Sequence, residues 1–305
     1  MLGLACGDSL GAPWEFKLPG TFATVTEMTD VPPGGFHKGL KAGMWTDDTS
    51  MALCLAVSLT EKHGFNAVDQ MHRYLDWAHN GYMNSRGPYP PTDIGGTTRR
   101  ALAKYGAKSL SPYCGSTEPN RAGNGSIMRL APIPLFFAKN ARQAIEKAAE
   151  SSLLTHATPS CVDGCRYMAG IIVGALQGKP KEVLLAKHYC PVPGLWESEK
   201  LDPEIDAIAN GSFKVKEPPA IVGEGHVVKT LEAALWAFYK TANFEDGCIQ
   251  AVNIGNDTDT VGAVYGQIAG AYYGEQGIPS RWLSKLHKRD LISGLAEKLY
   301  TAAQG

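Results

Sequence analysis

Strand-like alternation is scarce in these 305 residues, and so are charge imbalance, paired cysteines and long apolar runs. Lysine and arginine number 29 against 30 aspartates and glutamates, a formal net charge of −1 that removes any global pull toward nucleic acid or an anionic membrane. No apolar stretch approaches the roughly 20 residues that a bilayer-crossing helix needs. The first residues, Met1-Leu2-Gly3-Leu4-Ala5-Cys6-Gly7-Asp8, lack the basic segment that opens a signal peptide. These absences predict a cytoplasmic protein with neither membrane nor nucleic acid among its partners. The seven cysteines stand apart except for Cys161 and Cys165, so no disulfide framework is expected. Those two lie in an apolar stretch without neighbouring histidines, and buried thiols explain them better than zinc.

Helical periodicity is abundant, and the 44% hydrophobic content is enough for a large core. Residues 50–60 are apolar all round, which places that helix centrally. Further helices are expected over 67–79, 95–105, 127–138, 141–154, 160–177, 183–189, 203–210, 227–239, 244–254, 260–273 and 291–303. The best short strand is 23–26. Segments 16–43, 81–96 and 189–225 are rich in Pro, Gly and polar residues and read as long loops over a helical body. No shift in composition marks a boundary, so the expectation is an all-α fold with a single domain over 1–305. Gly262, Gly266, Gly270 and Gly274 recur every four residues, and with Ala263 they form a small-residue stripe. Asn256, Asp257, Asp259 and Gln267 speak against a membrane helix there, so the stripe predicts close packing between central helices.

Two acidic boxes carry the chemistry. Thr46-Asp47-Asp48-Thr49 precedes the apolar helix, and Asp257-Thr258-Asp259-Thr260 precedes the small-residue helix. Asp and Thr are ordinary N-caps, and negative charge suits a helix N-terminus. One such residue satisfies that role; paired carboxylates with flanking hydroxyls, at the mouths of two central helices, exceed it. Adjacent buried carboxylates repel, and a divalent cation removes the cost. Oxygen ligands without His or Cys favour a hard ion, Mg²⁺, Mn²⁺ or Ca²⁺. Four carboxylates make a two-metal site plausible. The second box also fits the Asp-x-Asp-x-Thr/Val pattern of haloacid-dehalogenase-like phosphatases. That chemistry needs a doubly wound sheet and downstream motifs, whereas fewer than fifty residues follow and they read as helix.

The order of motifs is more specific than any of them singly. Gly7-Asp8-Ser9-Leu10-Gly11-Ala12-Pro13-Trp14-Glu15 leads to the first box, then Asp93-Ile94-Gly95-Gly96-Thr97-Thr98-Arg99 and Gly123-Asn124-Gly125-Ser126-Ile127-Met128-Arg129. Thr155-His156, Thr230-Leu231-Glu232-Ala233-Ala234-Leu235-Trp236 and the second box complete the series. Together they resemble the ADP-ribosylglycohydrolase family. The resemblance implies an orthogonal helical bundle with two Mg²⁺ (or Mn²⁺) ions and hydrolysis of a glycosidic bond to ADP-ribose, most often linked to arginine. It carries metal ligation to Thr46, Asp47, Asp48, Asp257, Asp259 and Thr260. Catalytic roles fall on Glu15, at the metal site, and Asp93, facing the distal ribose. Diphosphate binding falls on Gly123, Asn124, Gly125 and Ser126, and ligand contact on His156.

The residues suit that chemistry. An oxocarbenium-like state is helped by nearby carboxylates, and glycines at 123 and 125 permit unusual backbone angles that aim amides at a pyrophosphate. The bland alternative for Gly123–Ser126 is a tight turn with Ser126 capping the next helix, and for His156 a satisfied core histidine. Gly96 stands where relatives more often have Asn, and His226 where they often carry an aromatic; an imidazole there can still stack on a base. The expected partner is an ADP-ribosylated protein or a small ADP-ribosyl compound. The competing reading is a catalytically inactive ADP-ribose-binding or structural relative of the same fold.

Overall fold

A computed structural model describes residues 1–91, 94–107 and 109–304, and these fold into α-helices joined by loops. The chain opens with α1 (Leu2–Gly11), α2 (Asp47–Lys62), α3 (Ala67–Asn80), α4 (Gly96–Gly106), α5 (Pro132–Phe136), α6 (Ala141–Leu153) and α7 (Pro159–Leu176). Three short helices follow, α8 (Lys181–Leu184), α9 (Leu195–Ser198) and α10 (Pro203–Ala209). Then come α11 (Val227–Lys240), α12 (Phe244–Asn253), α13 (Thr258–Tyr273), α14 (Ser280–Lys285) and α15 (Arg289–Gln304). Among the described residues no strand forms, only isolated bridges. No helix among the described residues is long and apolar enough to cross a membrane.

Helix α13 lies at the centre, buried from Thr258 to Ala269 and packed by α1, α7, α11 and α12. Helix α2 packs against α3, α5 and α15, and its residues from Asp48 to Leu59 are buried on every side, as the all-round apolar pattern predicts. The small-residue stripe of α13 does meet another backbone, and its partner is α1. A Cβ on Gly7 would stand 1.9 Å from the carbonyl oxygen of Gly262, and one on Gly3 2.2 Å from that of Gly266. At Gly11 the Thr258 oxygen would be 2.3 Å away. Three glycines one helical turn apart therefore let α1 lie on α13 backbone to backbone. Gly7→Ala is expected to cost about 3 kcal/mol, since the obstacle is main chain that cannot rotate aside. A urea midpoint within error of wild type would contradict that contact.

The structure departs from the sequence reading at several places: the helix expected over 183–189 is only the short α8 (Lys181–Leu184), α9 lies inside an expected loop, α14 was not expected, and three further departures have a clear local reason. The helix expected over 127–138 shrinks to α5, because the Gln267 side chain from α13 takes over the backbone groups ahead of it. Its side-chain amide Nε2 donates to the carbonyls of Ile127 (3.0 Å) and Met128 (2.7 Å), and its Oε1 accepts from the amide of Ala131 (2.7 Å). The strand expected at 23–26 is absent: the amide and carbonyl of Val25 both bond the side chain of Asn253, at 2.8 and 2.9 Å, leaving nothing for a ladder. Helix α1 was not anticipated, because its ten residues are all buried and its glycines weaken any propensity signal. All seven cysteines are free, and Cys161 and Cys165 are buried.

Candidate active site

The heads of α2 and α13 lack the side-chain cap that α3, α6, α7 and α12 carry. Asn66, Asn140, Thr158 and Asn243 each cap their helices through the side chain. Thr46 and Asp257 occupy the same position at α2 and α13 and make no such bond. The capping explanation for the two boxes therefore fails. Thr46 instead turns to Asp8 of α1: its amide and hydroxyl donate to Asp8 Oδ1 at 3.0 and 2.9 Å. The Thr49 amide donates to Asp8 Oδ2 at 3.0 Å. Because α1 is set against α13 by the glycine contact, Asp8 ties the start of α2 to the start of α13.

The result is one convergence of acids. Glu15, Asp47, Asp257, Asp259 and Thr260 line a single cleft of about 400 Å³. Thr46 and Asp48 sit deeper, both buried, with the Thr46 hydroxyl 3.2 Å from Asp48 Oδ2. Asn124 reaches across to hold Asp257, donating to its Oδ2 at 2.8 Å and to Thr230 Oγ1 at 2.9 Å. His37, from the long loop after Glu15, bonds Glu15 and lies 3.6 Å from Asp259 Oδ2. Glu15, His37 and Asp259 each present a ligand atom within 4.8 Å of the others, close enough to share a metal ion.

Electrostatics single out the same residues. Burial, then the charge of Asp259, pushes Asp8 up to about 7. The same two causes raise Glu15 to about 8 and Asp257 to about 7. Burial, followed by Asp8 and Asp259, holds Asp48 well above the ordinary carboxylate range. Asp259 moves the other way: burial pushes it up, but the hydrogen bond and charge of His37 outweigh that. Two carboxylate oxygens, Asp48 Oδ1 and Asp259 Oδ1, are buried without a hydrogen-bond partner. Orphaned buried acceptors inside a ring of mutually repelling acids suit hard divalent cations, so the donor set fits the ions that the sequence predicts.

A pH dependence follows. Raised folded-state values mean that the metal-free fold holds protons that the unfolded chain has already released. The stability from Asp8, Glu15 and Asp257 is therefore present below about pH 4 and is lost as pH rises through about 7 to 8. The melting temperature in chelator should fall between about pH 5 and about pH 8.5, and saturating Mg²⁺ should oppose the fall, because ligand carboxylates bind deprotonated. A chelated protein that gains stability across that range would contradict the clustering.

At the other end of the cleft stand Thr97, Thr98, Arg99, Gly123, Gly125 and His156. Gly123 and Gly125 do not adopt left-handed angles, contrary to the reading that glycine is needed there for its backbone freedom. The need is space: a Cβ on Gly125 would lie 2.7 Å from Cε1 of His156 and 3.1 Å from the Thr98 hydroxyl. Ser126 is buried and caps nothing, since the next helix begins at Pro132. His226 pairs through its backbone with Gly123, and its side chain is not among the described residues lining the cleft. Asp93 lies outside the described residues.

His156 is buried yet lines the cleft, and its ring is bonded on the side away from it. Arg129 donates to Thr155 Oγ1 at 2.7 Å, and Thr155 Oγ1 lies 2.8 Å from His156 Nδ1. With Arg129 donating to it, the hydroxyl has its own proton to give to Nδ1, an arrangement that leaves the neutral ring's proton on Nε2, toward Gly123 and Gly125. Burial, and secondarily Arg129, lowers His156 to about 3. It is a neutral hydrogen-bond donor on the cleft wall.

A family model for ADP-ribosylglycohydrolase matches residues 1–305. The chain belongs to the ADP-ribosylglycohydrolase family. It is 37% identical over 303 residues to ADP-ribosylarginine hydrolase Tri1 of Serratia proteamaculans, covering 99% of this chain and 78% of that one. It is 30% identical over 287 residues to the ADP-ribosyl-[dinitrogen reductase] glycohydrolase of Rhodospirillum rubrum, covering 93% and 88%. A solved structure described as an ADP-ribosylglycohydrolase-related protein complex is 43% identical, with a TM-score of 0.84 over 99% of this chain and 95% of that one. The all-α architecture agrees with that neighbour. Sequence reasoning missed Asp8 as the tie between the boxes, although it stands in the first motif between glycines spaced four apart. It missed His37 entirely, since a lone histidine in a loop carries no pattern.

Proposed function

We propose that this chain hydrolyses the glycosidic bond between ADP-ribose and an arginine side chain, using two Mg²⁺ or Mn²⁺ ions held by Thr46, Asp47, Asp48, Asp257, Asp259 and Thr260. The observation that carries the reading is that acids from both boxes open onto one cleft while buried oxygens of Asp48 and Asp259 accept no hydrogen bond. The names of the Serratia and Rhodospirillum relatives supply the linkage. When bound, such a metal pair supplies an activated water and a grip on ribose hydroxyls.

The remaining roles belong to the chain. Asn124 and Asp8 hold Asp257 and Thr46 in place. Glu15, at the cleft surface beside Asp259, is placed to exchange a proton as the anomeric bond breaks through an oxocarbenium-like state. The Gly123–Ser126 turn and the Nε2–H of His156 receive the diphosphate, with Arg99 on the same side. Asp93 is assigned to the distal ribose. The reading extends to a cytoplasmic, single-domain enzyme acting on an ADP-ribosylated protein or a related small ADP-ribosyl compound. Incubation with arginine-ADP-ribosylated protein and Mg²⁺ should release ADP-ribose, and chelator should stop the release. Binding of ADP-ribose without release, with either Mg²⁺ or Mn²⁺ present, would turn the assignment to a non-catalytic reader.

A further inference from the structure

Two phenylalanine rings stand open at the carboxylate end of the cleft. Phe16 is 60% exposed and Phe36 is 51% exposed, yet their centroids lie only 4.7 Å apart at 77°, edge to face. Both line the cleft beside Glu15. Neither is a stray surface residue. Phe16 sits at φ +64°, a left-handed conformation that bulky residues rarely take, and its amide is tied to the carbonyl of Asn256 at 2.6 Å. Phe36 packs edge-on against His37, at 5.0 Å and 76°. The neighbours of both rings are thus the residues next to the second acidic box and the histidine within the cluster. Strain and exposure at one spot point to use.

The contacts order the cleft from end to end. Phe36 touches His37, His37 lies against Glu15 and Asp259, Asn124 bonds Asp257, and Gly125 abuts His156 and Thr98. Charge is sorted the same way. Arg99, the one arginine or lysine among the described residues lining the cleft, belongs to the Thr98 end, where an anion would lie; the aromatic end carries acids. With the anomeric carbon over the carboxylates and the diphosphate at His156, the group on the far side of the scissile bond must leave past the rings. A guanidinium is planar and cationic, and it is attracted to aromatic faces as well as to carboxylates.

We propose that Phe16 and Phe36 form the leaving-group subsite, an aromatic platform that receives the guanidinium of the target arginine. This rests on the arginine linkage proposed above. Phe16→Gly removes a ring and suits the left-handed backbone, so the fold is not put at risk; Phe36→Ala is the companion variant. Each should raise KM for an arginine-ADP-ribosylated peptide about tenfold, while the inhibition constant of free ADP-ribose stays within about twofold of wild type. An unchanged KM would overturn the proposal. So would an inhibition constant rising in step with KM, which would place the rings under the ADP-ribose itself. Should the wild type cleave no arginine linkage, binding decides separately: agmatine titrated into wild type saturated with ADP-ribose and Mg²⁺ should bind more tightly than to Phe16→Gly. Equal binding, or none, would defeat the platform.

Discussion

Asp48→Asn should raise the melting temperature of the chelated protein while lowering turnover by at least about a thousandfold, roughly 4 kcal/mol of transition-state stabilisation. The opposite signs have one cause. Asp48 is fully buried, one of its oxygens accepts no hydrogen bond, and its ionisation is opposed by burial and by Asp8, Asp259, Asp47 and Asp257. An amide of the same shape removes the repelled charge and converts the orphaned acceptor into a donor facing carboxylates. Without a cation that is a gain. With Mg²⁺ it removes a ligand, so the metal-induced rise in melting temperature should largely vanish along with activity. Scanning fluorimetry with and without Mg²⁺, paired with ADP-ribose release, reads both effects. A variant that keeps both the Mg²⁺ shift and near-native turnover would move the metal centre elsewhere.

Thr155→Val should cost about 2 kcal/mol of stability and raise KM for an ADP-ribosylated substrate about tenfold, with a smaller change in kcat. Arg129 is entirely buried, over the Tyr74 ring at 4.6 Å, and no carboxylate pairs with it among the described residues. The Thr155 hydroxyl at 2.7 Å is its shortest hydrogen bond. Valine keeps the shape but leaves the cation short of an acceptor, the costly kind of loss inside a core. It also frees His156 to carry its proton on Nδ1, which would turn a lone pair rather than a donor toward an anionic ligand. Thr155→Ser should restore both quantities, and an isotope-labelled imidazole would report the tautomer directly. A wild-type KM in the valine variant, with the ring still protonated at Nε2, would show that the tautomer is set by something other than this hydroxyl.

The helical body was legible because local and global preferences agree. Helix α2 is apolar on every side, and α3, α6 and α7 begin at Asn66, Asn140 and Thr158, which cap through the side chain. Where a long-range partner outbid the local pattern, the reading failed. Gln267 takes the carbonyls that residues 127–138 needed for a helix, and Asn253 takes both backbone groups of Val25. Gly123 and Gly125 line the cleft without left-handed angles, and spacing in a motif does not distinguish backbone freedom from room for an imidazole.

By itself, the sequence determined the residue chemistry: two acidic boxes at the starts of two helices, a glycine stripe four residues apart, and a motif order particular to one family. All of that is local, or lies in one-dimensional order, and survives without coordinates. Only the tertiary structure decided that α1 supplies the stripe's partner, that Asp8 thereby links boxes more than 200 residues apart, and that His37 enters the cluster. Those outcomes depend on which buried surfaces meet, and contact between distant segments is set by packing rather than by any pattern within either segment.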